Sequence, residues 1–139
     1  MIAKVTKRAV LVGCTYNETR FSLYGCINDV SNMNTLMVQH HGFLQENVKV
    51  LTDPLLPETK ATIPTGENIR DALSEMVKRA RAGDVLLFYF SGHGTAIPVY
   101  VPGQPYREEK AIVLVIWISS PVIPSYFHPY FINIIKFLI

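Results

Sequence analysis

The run Asp84-Val85-Leu86-Leu87-Phe88-Tyr89-Phe90 constrains the fold of this chain more than any other stretch. Its apolar residues are consecutive, not alternate, so both faces of the strand they form must be covered. That is the requirement of a central strand in a parallel sheet with helices on each side. The run leads into Ser91-Gly92-His93-Gly94, where a titratable ring stands between two glycines. His93 is the first such group where the strand emerges. The glycines are expected to let the backbone turn sharply and approach whatever binds there.

The preceding sequence supplies the helices. Ala9-Val10-Leu11-Val12, ending at Gly13, reads as a short buried strand. From about Gly25 to His41, Ile27, Val30, Met33 and Met37 recur at spacings of three and four, one face of a helix that Gly42 stops. Asn47-Val48-Lys49-Val50-Leu51 reads as a second strand, followed by a loop with Pro54, Pro57 and Pro64. Thr65 is the expected N-cap of a second helix whose apolar face is Ile69, Leu73, Met76, Val77 and Ala80, with Gly83 as its end. Glu67 and Asp71 near its start and Lys78, Arg79 and Arg81 near its end suit the helix dipole. Two strand–helix alternations closing on a third strand predict an open doubly wound α/β sheet, mainly parallel, of order 2-1-3. Ligands of such sheets bind beyond the carboxyl ends of the strands, where the order switches. That point lies between Gly13-Cys14 and Ser91-Gly92-His93-Gly94.

Composition narrows the function classes. The chain has 139 residues, enough for one domain. A net charge of +2, with no basic run, gives no case for a nucleic-acid partner. No secretory signal is evident at the N-terminus. Two cysteines, Cys14 and Cys26, do not make a disulfide framework, so a reducing, cytoplasmic setting is expected. His40 and His41 are adjacent and cannot share one helix face, and Asp53 and Glu58 stand alone, so no metal site is expected. On position alone His93 is a structural histidine or a catalytic one, Asp29 a solvated or capping carboxylate, and Cys26 a small buried hydrophobe.

Four blocks carry more than their physics: Lys7-Arg8-Ala9-Val10-Leu11-Val12-Gly13-Cys14, Leu23-Tyr24-Gly25-Cys26-Ile27-Asn28-Asp29-Val30, Pro64-Thr65-Gly66-Glu67-Asn68-Ile69-Arg70 and Phe90-Ser91-Gly92-His93-Gly94-Thr95. In this order and spacing the chain resembles the metacaspases, caspase-like cysteine endopeptidases, over about residues 6–113. Gly103-Gln104-Pro105-Tyr106-Arg107-Glu108-Glu109-Lys110-Ala111-Ile112-Val113 is similar to the plant type II branch. The resemblance implies a caspase-like (flavodoxin-like) fold, incomplete here. It also implies a histidine–cysteine dyad that cuts peptide and protein substrates after arginine or lysine. On that resemblance His93 is the catalytic histidine and Asp29 the acidic residue of the specificity pocket. Cys26 and Ser91 are further pocket positions, and backbone amides at Gly92 or Gly94 are candidate oxyanion donors. Type II members need calcium, and the acidic cluster that binds it is expected beyond this chain, leaving no cofactor in these residues.

The family's nucleophile lies in an Asp-x-Cys-x-Ser-Gly block after the histidine, and no cysteine follows Cys26 here. The chain therefore divides into residues 1–113, the N-terminal part of a catalytic domain, and 114–139, a divergent apolar tail. The tail is nearly uncharged, rich in residues with A/T-heavy codons, and reads as a truncated gene model or retained intron. Pro121, Pro124 and Pro129 argue against a membrane span. Residues Ala111 to Ile118 are a candidate for the missing sheet strand. Cys14, at the same sheet edge as His93, is a candidate substitute nucleophile, as is Cys26. As it stands the chain is expected to be inactive. The competing expectation is a non-catalytic fragment that pairs with a full-length metacaspase through an open sheet edge.

Overall fold

The computed structural model describes residues 5–17, 19–53 and 62–114, together with the strand at 130–138, which is described as backbone alone. The elements are β1 (Lys7–Gly13), α1 (Cys26–His40), β2 (Val48–Thr52), α2 (Gly66–Arg79), β3 (Val85–Val99), β4 (Arg107–Ile112) and β5 (Tyr130–Leu138). A short 3-10 turn, Gln45–Asn47, precedes β2. β1 pairs in parallel with β2 on one side and β3 on the other, giving the expected 2-1-3 order. The observed order extends to β2-β1-β3-β4, with β5 also on β3. Both added pairings are antiparallel, so the sheet is mixed, half of its four strand pairs parallel and half not.

Side chains alternate across a strand, and β1 shows both sides of that alternation buried. Val10 and Val12 face α2, packing with Leu51, Ile69, Ala72, Met76 and Phe90. Ala9 and Leu11 face α1, packing with Val30, Met37, Leu87 and Tyr89. The two helices therefore cover opposite faces, which is why the apolar run of β3 needs no polar side. Each buried aliphatic of this size contributes about 1.5–3 kcal/mol from area removed from water.

Local signals set the helix ends. Gly25 holds the position before α1 with φ 101°, a left-handed conformation that favours glycine. The Asp29 N–H then donates to the Gly25 carbonyl at 2.8 Å, closing the first turn. Thr65 caps α2 as expected, its Oγ1 accepting from the Asn68 N–H at 3.1 Å. The helix ends at Arg79, and Gly83, at φ 92°, makes the turn into β3. Val77, expected on the apolar face, is 57% exposed. The helix needs only Ile69, Ala72 and Met76, with Leu73 at the margin, to cover its face of the sheet. The proline-rich loop after β2 lies largely outside the described residues.

Two strand expectations change. β3 does not turn at Gly92 or Gly94 but runs on to Val99, because beyond the ends of β1 and β2 it gains β4 as a partner from Gly94 to Val99. Ala111 and Ile112 belong to β4, and the tail strand is β5, whose nine residues pair Leu86 with Leu138 through Gly94 with Tyr130. Residues 115–118 of the expected strand lie outside the described ones. Flank assignment follows from the hydrogen bonds. The Ser91 carbonyl accepts from Cys14 N–H of the β1 side, and the His93 carbonyl, two residues on and facing the same flank, accepts from Val113 N–H, both at 2.9 Å. β4 thus lies in line with β1, past its end, and β5 lies along the other flank of β3.

Candidate active site

The carboxyl end of β1 carries the segment that builds the site. Cys14 continues the ladder by its bond to Ser91, and the chain then loops over the end of the sheet before entering α1. Leu23 N–H returns to the Thr15 carbonyl at 2.8 Å, closing the loop. Gly13 lets α1 come close: a Cβ there would stand 2.9 Å from Val30 Cγ2 and 3.0 Å from the Cys26 carbonyl oxygen. That approach delivers Asp29, in the first turn of α1, to β3.

Ser91 Oγ donates to Asp29 Oδ2 at 2.7 Å, across 62 residues of sequence. Ser91 is fully buried and Asp29 half-buried, so the carboxylate has one oxygen tied to the strand and a side toward solvent. Cys26 lies against the same pair and is fully buried. Burial pushes its thiol pKa up, the neighbouring Asp29 and Asp53 charges push it further, and a bond with the Ser91 hydroxyl opposes them. Tyr89, two residues before Ser91 on the same face, joins the cluster. Its phenol is raised first by burial and then by Asp29, again opposed by Ser91. Tyr89 escaped the sequence reading although its i, i+2, i+4 relation to Ser91 and His93 was visible there.

His93 does not open onto an exposed crevice. Its ring is buried, 7% exposed, beneath the loop, with Nε2 2.7 Å from the Phe21 carbonyl oxygen. A carbonyl only accepts, so Nε2 holds the proton and, in the neutral ring, Nδ1 is the basic nitrogen. The Tyr16 ring lies against the imidazole, centroids 4.9 Å apart and planes 34° tilted. Gly92 serves close packing instead of a turn: a Cβ there would stand 2.8 Å from both Phe90 Cζ and the Tyr16 hydroxyl. Gly94 sits between Ile112 of β4 and Tyr130 of β5. Main-chain alternation turns its N–H to the flank opposite that of the His93 N–H.

Cys14 is fully buried and packs with Val12 and Phe90 on the α2 face, opposite the Asp29–Ser91 pair. Its thiol pKa is driven far above the ordinary range, first by burial and then by the Asp53 charge, against a bond with Tyr16. This placement, buried on the face away from the Asp29–Ser91 pair, does not favour Cys14 as the substitute nucleophile. Asp53, which sequence left as an isolated carboxylate, is buried, and its Oδ2 accepts from Thr15 N–H at 3.0 Å, Thr15 Oγ1 at 3.2 Å and Tyr16 N–H at 2.8 Å. Glu58 lies outside the described residues. Among the described residues no group of three or more His, Cys, Asp or Glu side chains is placed to hold a metal.

A parallel α/β core, with a histidine just past the sheet switch point and a carboxylate brought to it by the first helix, defines a caspase-like domain. Residues 7–113 match the family model of the metacaspase, peptidase C14 domain. The chain is 50% identical over 112 residues to Metacaspase-9 of Arabidopsis thaliana, covering 78% of this chain and 34% of that protein. It is 47% identical over 94 residues to Metacaspase-4 of the same plant, 68% of this chain and 22% of that one. With Metacaspase-1 of Debaryomyces hansenii it shares 46% over 88 residues, 63% of this chain and 20% of that one. The chain belongs to the metacaspase family. It spans about a third or less of the length of these curated relatives.

Proposed function

We propose that the chain carries the histidine and the basic-residue pocket of a cysteine endopeptidase that cleaves after arginine or lysine, and that it is inactive by itself. The observation that carries this reading is the Ser91–Asp29 bond at 2.7 Å with His93 two residues further along the same strand. Asp29 is fixed in place yet half-exposed, so a guanidinium or ammonium can reach it with charge-assisted hydrogen bonds. Cys26 and Tyr89 close the buried side of that pocket. His93, with Nε2 held by Phe21, keeps Nδ1 as the nitrogen that would take a thiol proton and return it to the leaving amine. The amides of Gly94 and Gly92 stay the candidate oxyanion donors of this proposal; both turn to the flank of β3 that β5 pairs, so the role requires β5 to leave that edge.

Inactivity rests on the thiols. The sequence holds two cysteines, both buried and both with raised pKa values, so neither presents a thiolate at neutral pH. Two unpaired thiols suit a reducing compartment, and the cytoplasm is part of this proposal. No helix among the described residues is long and apolar enough to cross a membrane. Association with a full-length relative would have rested on an open β3 edge, and β5 pairs that edge from Leu86 to Gly94.

The test is hydrolysis of an arginyl fluorogenic peptide by the purified chain, with and without calcium. No turnover is expected. Turnover lost in His93→Ala would sink the inactivity claim while supporting the assignment of His93.

A further inference from the structure

Tyr16 is the one non-glycine residue among those described with a positive φ, at 55°. A left-handed tyrosine is unfavourable and persists only where its surroundings impose it. Here Asp53 imposes it. Its Oδ2 gathers the N–H groups of both Thr15 and Tyr16 and the Thr15 hydroxyl, pinning the turn from the end of β2. Asp53 is 5% exposed, and its Oδ1 is buried without a hydrogen-bond partner among the described residues. A buried carboxylate with an orphaned oxygen is itself costly. Two costly features meet at one turn, so the turn does more than connect β1 to α1.

What the turn delivers is the Tyr16 hydroxyl. It accepts from the His93 backbone N–H at 2.9 Å and donates to the Val113 carbonyl at 2.7 Å. Val113 N–H in turn donates to the His93 carbonyl at 2.9 Å. On this flank of β3 the pairing with β1 ends at Ser91 and that with β4 starts at Gly94, so between them His93 meets Val113 through one direct bond, and its N–H reaches the Val113 carbonyl only by way of the phenol. The phenol fills that rung of the ladder. The same side chain lays its ring along the imidazole, and the same loop supplies the Phe21 carbonyl to Nε2.

We infer that Tyr16, set by Asp53, is a positioning residue for the histidine: the hydroxyl fixes the His93 main chain and the ring fixes the imidazole's tilt, so that Nε2 stays on Phe21 and Nδ1 keeps one direction. This rests on the reading of His93 as the general base, but its readout needs no turnover. A failed relay therefore leaves the peptidase assignment intact, and an inactive chain leaves the relay measurable.

The experiment is NMR of the full chain labelled with 15N, following the ring nitrogens and the backbone amide of His93. In the wild-type chain the ring should be a single Nε2–H tautomer, and the His93 amide should exchange at least tenfold more slowly than in Tyr16→Phe. That variant keeps the ring and removes the hydroxyl. Asp53→Ala should reproduce the faster exchange and mix the tautomers, the double variant should add nothing further, and Asp53→Asn, which keeps one acceptor oxygen, should restore most of the wild-type signature. A Tyr16→Phe or Asp53→Ala chain that stays folded with the His93 ring and amide signals unmoved overturns the proposal. So does a wild-type His93 amide that exchanges as freely as an unbonded one, which decides the matter even if both variants fail to fold.

Discussion

Ser91 and Asp29 are joined by a 2.7 Å hydrogen bond that ties the central strand to the first helix at the carboxyl end of the sheet. One carboxylate oxygen is spent on the protein and the other side of the group is left toward solvent. A residue so placed is oriented before any ligand arrives, which is how a pocket gains selectivity for a cation without a large rearrangement.

On the proposed pocket assignment the chain should bind a cationic ligand in preference to a neutral one, and Asp29→Asn should abolish that preference. Titration with N-acetyl-arginine amide against its norleucine analogue, followed by NMR, measures this. Loss of about 1.5–3 kcal/mol, the usual worth of a hydrogen bond to a charged group, corresponds to weakening by roughly ten- to a hundredfold. Equal affinity of the wild-type chain for both ligands would remove Asp29 from the pocket.

Cys14 and Cys26 should resist alkylation. Burial raises both pKa values, so the thiolate fraction at neutral pH falls below that of a free cysteine and rises only as the pH climbs. Iodoacetamide at pH 7.5 should modify the native chain on the order of a hundredfold more slowly than the chain in denaturant. Rapid labelling of either residue in the folded chain would contradict its burial.

Asp84 should make the fold sensitive to acid. Its carboxylate accepts from Thr6 N–H at 2.9 Å and Arg81 N–H at 3.0 Å and pairs with Arg8 at 3.0 Å. Those backbone bonds first, and Arg8 and Arg81 after them, lower its pKa. A depressed folded pKa gives stability that is present above the ordinary carboxylate value of about 3.9 and is lost as the pH falls through the lower folded value. Asp84→Asn should thus be less stable than wild type at pH 7, and the gap should close as the pH falls below the ordinary carboxylate range and through the lowered folded value. Urea midpoints across that range measure it; an unchanged gap would refute the assignment.

Leu11 and Val77 should behave oppositely although both lie in apolar patterns. Leu11 is fully buried in the middle of β1, and Leu11→Ala should cost about 2–5 kcal/mol in urea unfolding. Val77 is more than half exposed, and Val77→Ala should stay within about 0.5 kcal/mol of wild type.

The parallel core was legible because its signals are local: consecutive apolar residues in β3, three-and-four spacing in α1, and a capping threonine before α2. The extent of β3 was not, since glycines read as a turn when their reason is a neighbour distant in sequence. Gly92 is small because Phe90 and Tyr16 crowd it, and no local pattern announces that. His93 and Asp29 were legible through their blocks, whereas Tyr16, Tyr89 and Asp53 act through contacts across the sheet. Their sequence neighbourhoods, Cys14-Thr15-Tyr16 and Thr52-Asp53-Pro54, look like ordinary loop entries.

The direction of β5 has one more consequence. It starts beside Gly94 and finishes beside Leu86, so its polypeptide travels away from the imidazole by roughly 27 Å at strand rise. A parallel neighbour in that seat would instead release its next residues at the imidazole end. The strand's end at Leu138 therefore lies at the pole of the sheet opposite the imidazole, and its start at Tyr130 lies beside it.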